Sequence, residues 1–132
     1  MRVQQVILDS TNYYTVNQFN EVYYKICDDI QIVGEKRKTH YYNIACAFDI
    51  ETTSFFRQSE NETEPQKVAI MYVWTFSLCG FCIMGRTWDE FTKLMDLLAE
   101  YFNLSSKLRI IIYVHNLGFD FSFFRKWLVW DN

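Results

Sequence analysis

The chain has 132 residues, half of them apolar and 19% aromatic, and carries a formal net charge of -3. That length supplies one core and leaves little room for two domains, and the charge argues against a protein that coats nucleic acid by bulk charge, though not against a local site where metal ions meet the phosphate. No apolar run reaches the roughly 18 residues of a membrane span, and no signal-like segment opens the chain. The four cysteines, Cys27, Cys46, Cys79 and Cys82, lack disulfide-scaffold spacing, so a reduced, cytoplasmic protein without membrane association is expected.

Residues 1–43 read as an N-terminal extension. Segments 22–33 and 39–47 suit a strand hairpin turning about residues 34–38, although 19–30 also has helical spacing. Lys36, Arg37 and Lys38 suit a solvated turn, with a DNA-backbone contact as the alternative. The first clear strand is 44–50, where Ile44, Cys46, Phe48 and Ile50 face one way and Ala45, Ala47, Asp49 and Glu51 the other. Two carboxylates therefore share a face, beside alanines small enough for a helix to approach. Residues 57–66, with Pro65, predict a loop.

Residues 68–77, rich in β-branched and aromatic side chains, predict a second strand and 81–86 a third, a hairpin turning near Gly80. Thr87 and Glu90 then have capping-box spacing, and Trp88, Phe91, Leu94, Met95, Leu98, Tyr101 and Phe102 recur at helical intervals up to Asn103. The apolar run 108–114 predicts a central strand covered on both faces and lying beside the first. Residues 119–130 predict a helix with Asp120, Phe123, Phe124 and Trp127 on one side, the acid pointing towards the sheet. Strand, hairpin, helix, strand, helix is the order of an α/β, ribonuclease H-like fold: a mixed sheet with helices packed on it.

Asp49, Glu51 and Asp120 are thereby expected to converge from distant segments. Gathering three acids without a cation is costly, and hard divalent ions favour carboxylate oxygens. Two such ions about 3.5 to 4 Å apart can activate a water and stabilise a leaving alkoxide in phosphodiester hydrolysis. Taken singly, Asp49 and Glu51 also suit a solvated strand end, and Asp120 a first-turn acid favoured by the helix dipole. Cys79 and Cys82 have zinc-knuckle spacing without a second pair to complete a site.

The run Asp49, Ile50, Glu51, Thr52, Thr53 resembles the first motif of the 3'-5' proofreading exonuclease domain of family B DNA polymerases. Asn116, Leu117, Gly118, Phe119, Asp120 resembles its second. With Tyr113, Val114 and His115 before it, the second run is similar to the protein-primed branch found in phages, viruses and linear plasmids. The resemblance covers residues 44–128. It implies an exonuclease fold whose cofactors are two divalent cations, Mg2+ or Mn2+. Asp49 would bridge them, Glu51 would hold one and help orient the water, and Asp120 would support the other. Thr52, Asn116 and Phe119 would contact the 3' end of single-stranded DNA, with His115 beside them as a DNA contact or a structural histidine. An aromatic face such as Phe119 stacks on any base without reading sequence.

The same family carries a third motif in which a tyrosine and an aspartate complete the site. No such pair follows Asp120. The chain is therefore expected to be the N-terminal part of the exonuclease domain, 44–132, with the fold incomplete at its C-terminal end and activity weak or lacking in isolation. Its implied partners are the remainder of the polymerase and a terminal priming protein. A non-catalytic ribonuclease H-like module binding single-stranded DNA or a partner protein is the alternative.

Overall fold

The computed structural model describes residues 13–34, 38–61 and 63–128. Lys36, Arg37 and the expected helical residues 129 and 130 lie outside these. The chain is α/β. Its larger sheet has five strands: β1 (Tyr13–Tyr14), β4 (Cys46–Arg57), β5 (Gln66–Leu78), β6 (Phe81–Gly85) and β8 (Ile112–Val114), in the order β1-β6-β5-β4-β8. The three middle strands form an antiparallel meander, and β1 and β8 run parallel to their neighbours at the two edges. A smaller sheet joins β2 (Ile32–Gly34), β3 (His40–Tyr42) and β7 (Leu108–Arg109) in the order β2-β3-β7.

Among the described residues, three α-helices complete the fold: α1 (Phe19–Ile26), α2 (Trp88–Tyr101) and α3 (Leu117–Phe124). The capping box forms as its spacing predicts, with Thr87 Oγ1 accepting from the Glu90 amide and Glu90 Oε1 accepting from the Thr87 amide, each at 3.2 Å. Phe91 of α2 and Phe124 of α3 both meet Phe48 of β4, with ring centroids 5.0 and 5.5 Å apart. The strand face bearing Cys46, Phe48 and Ile50 is therefore the core face. Ala45 and Ala47 on the other face are exposed, with no helix of the described residues over them, contrary to the role expected of them.

Three further expectations need correction. Residues 19–26 form a helix, not the first arm of a hairpin, because Phe19, Val22 and Ile26 bury one stripe and Phe19 packs edge-on to Tyr101 at 5.1 Å. The hairpin survives only as the short β2-β3 pair. Residues 108–114 do not form one central strand. The run splits between the two sheets, and its second part lies beside β4 at an edge, where Ile112 and Tyr113 are 36% and 67% exposed. β-Branched composition marked strand conformation there but not burial. Finally, β4 does not end at the acids, since the β-formers Thr52, Thr53, Phe55 and Phe56 carry it on to Arg57.

Two local devices shape the meander. Cys79 and Gly80 both have positive φ, 50° and 85°, which matches the twist of a two-residue hairpin turn. Trp74 is fully buried, donates its indole N–H to the Thr87 carbonyl at 2.9 Å, and lies so close over Gly85 that a Cβ there would overlap the ring. Residues 13–42 share this core through Val16, Phe19, Val22 and Ile26. Among the described residues, no helix is long and apolar enough to cross a membrane.

Candidate functional site

Asp49 and Glu51 lie mid-strand in β4, both exposed, on the face opposite Phe48 and Ile50. Strand alternation alone puts them side by side, about two residues' rise apart. Asp120 comes from the first turn of α3, whose start is set by the backbone of Asn116: the Asp120 amide donates to the Asn116 carbonyl at 2.9 Å. Pairing between β8 and β4 stops at Phe48, which leaves the β4 edge open beyond it. The Ile50 amide on that edge donates to the Asp120 carboxylate. The carboxyl group of α3 thus reaches the sheet at the level of the acid pair, as its position on the helix predicts.

Asp120 is 2% exposed, and its Oδ2 has no hydrogen-bond partner. Burial pushes its pKa above the ordinary carboxylate value, and Asp49 and then Glu51 push it further; the Ile50 amide and His115 act in the opposite direction. Three acids from two remote segments therefore feel one another through the site. Among the described residues, no three histidine, cysteine, aspartate or glutamate side chains are gathered as a ready metal cage. Like charges at this range repel, and closing them to coordination distance requires a cation. Cys79 lies in the hairpin turn and Cys82 just after it in β6, and among the described residues neither joins such a group.

The remaining expected residues are not all on the side of the acids. His115 is exposed and near enough to Asp120 to act on its charge. Asn116 precedes α3 as an exposed N-cap residue without a side-chain capping bond. Phe119 is 45% exposed, its ring 5.1 Å from that of Phe123. Thr52 is half-buried and, by strand alternation, belongs to the face opposite Asp49 and Glu51.

Two features near the acids escape the sequence patterns. One is the Ile50 amide, which no side-chain motif marks. The other is Tyr72, the unpaired residue of a β-bulge: Glu51 pairs with Val73 and Thr52 with Met71, leaving Tyr72, 49% exposed, beside the acid pair. The bulge changes the parity along β5: Trp74, Phe76 and Leu78 are core residues, but Met71, not Tyr72, packs against the core. No protein-family model, curated protein or solved structure matches the chain.

Proposed function

We propose that this chain carries the 3'-5' proofreading exonuclease site of a family B DNA polymerase of the protein-primed type. Its reaction is phosphodiester hydrolysis at the 3' end of single-stranded DNA. The observation that carries this reading is Asp120, buried with an unpartnered Oδ2 and in electrostatic contact with Asp49 and Glu51. A buried acceptor without a donor, flanked by two more acids, is an arrangement that a divalent cation stabilises. The topology supports the reading at a coarser level. A three-stranded meander, a helix, a fourth strand parallel to the first on its free side and a second helix follow in ribonuclease H-like order.

Asp49, Glu51 and Asp120 would hold Mg2+ or Mn2+, which when bound would supply water activation and stabilisation of the leaving oxygen. The chain's own part is positional. The β4 edge holds Asp120 through the Ile50 amide, the strand pleat sets Asp49 and Glu51 on one face, and His115, Asn116 and Phe119 would act from the start of α3 beside Asp120. Phe119 offers an exposed ring for stacking the terminal base, and the exposed Asn116 amide offers hydrogen bonds to it, whereas Thr52 faces the other side of β4.

A second reading, a non-catalytic module that binds single-stranded DNA or a partner protein, is favoured by the lack of a gathered three-ligand group among the described residues. Manganese titration separates the two. The parent chain is expected to bind Mn2+, and the Asp49→Ala, Glu51→Ala double variant to lose that binding. Equal binding by both proteins would remove the metal-site assignment.

A further inference from the structure

β4 and β5 continue well beyond the sheet that contains them. β8 pairs with β4 only as far as Phe48, and β6 pairs with β5 only from Trp74 onward. From Thr52↔Met71 to Arg57↔Gln66 the two strands pair with each other alone, a ribbon of roughly 20 Å at strand rise. The Tyr72 bulge lies at its base. Alternation along β4 carries the face of Asp49 and Glu51 on through Thr53 and Phe55 to Arg57, and the cross-strand partners of Thr53 and Phe55 are Ile70 and Val68. Phe55 and Ile70 are 44% and 46% exposed. A two-stranded ribbon with bare apolar side chains is marginal alone in water, so a ligand on this face contributes stability as well as recognition.

We propose that the β4-β5 ribbon face carrying Phe55 and Ile70 binds the nucleotides of single-stranded DNA that lie upstream of the 3' end. This rests on the nuclease reading of the acid pair. Two observations favour DNA as the occupant, and a third bounds the contact. The face is continuous with Asp49 and Glu51, so a strand whose end is held there has this surface directly ahead of it. Its chemistry alternates a flat ring and an aliphatic side chain with a hydroxyl and the Arg57 guanidinium, which suits bases and phosphates together. The ribbon tip beyond Arg57 carries Glu60 and Glu64, which repel phosphate and limit the contact to the few nucleotides before it. Phe55 is four residues from Glu51, about 13 Å along the strand, so its contact lies beyond the terminal nucleotide.

The test uses the full chain with Ca2+, and labelled oligothymidylates of three and eight nucleotides read by fluorescence anisotropy. The octamer is expected to bind more tightly than the trimer. Phe55→Ala should weaken octamer binding about tenfold and leave the trimer unchanged. Phe55→Trp, which keeps a stacking face, should retain octamer binding, and Phe56→Ala, on the opposite face of the ribbon, should change neither. Equal loss for both lengths, equal loss in Phe56→Ala, no loss, no measurable octamer binding, or self-association of the parent abolished by Phe55→Ala would each overturn the proposal. The Mn2+ titration fails independently. Manganese binding without Phe55 dependence removes the ribbon alone, whereas Phe55-dependent octamer binding without manganese binding removes the metal site alone.

Discussion

Asp120 combines a negative charge with near-complete burial and one oxygen left without a donor. Its pKa is raised in the folded chain, by burial first and by Asp49 next, so the folded state holds the proton more tightly than the unfolded state does. Stability attributable to this group is thus fully present at low pH and is lost as pH rises through the folded pKa. In EDTA, Asp120→Asn should raise the thermal midpoint at pH 7.5, and the difference from the parent should vanish below about pH 4. A variant less stable than the parent at pH 7.5 would show that the carboxylate is better satisfied than its surroundings indicate. Cys46 gives a second residue-scale test. Burial first and nearby Cys79 second push its thiol up to about 12, so Cys46 should resist alkylation at pH 8 in the native protein and react only on unfolding. Peptide mapping after iodoacetamide treatment checks this.

At the scale of elements, the best-defined joint is between the meander and α2. Trp74 closes it, with its ring over Gly85 and its N–H on the Thr87 carbonyl. Gly85→Ala leaves the indole nowhere to go without losing that bond, and should cost about 1 to 3 kcal/mol in urea unfolding. A neutral result would mean that the ring moves freely. Helix α2 was legible because three signals agreed: a capping box, an apolar stripe and the end near Asn103. Helix α1 was not. Its stripe of Phe19, Val22 and Ile26 lies in a sequence equally rich in β-formers, and only the aromatic surface of Tyr101 and Phe102 selects the helix.

For the whole molecule, the described N-terminal segment is part of the structural unit. β1 borders β6, β3 borders β7, and α1 packs on α2. Phe19, 1% exposed, lies far in sequence from the acids but within the same core. Phe19→Ala should therefore destabilise the whole fold by about 3 to 5 kcal/mol, with circular dichroism and tryptophan fluorescence still reporting one coincident transition. Two separate transitions would show that the N-terminal segment folds by itself.

Side-chain chemistry and strand alternation by themselves determined that Asp49 and Glu51 share one strand face, that the hairpin turns near Gly80, and that an acid stands in the first turn of the last helix. These are properties of neighbours in sequence, governed by the pleat, the turn and the helical period. Only the tertiary structure decided that the run 108–114 divides between two sheets, that β8 stops at Phe48, and that Asp120 reaches the Ile50 amide through the opening this leaves. Those facts depend on which strand pairs with which and for how long, a balance of long-range packing that no local pattern encodes.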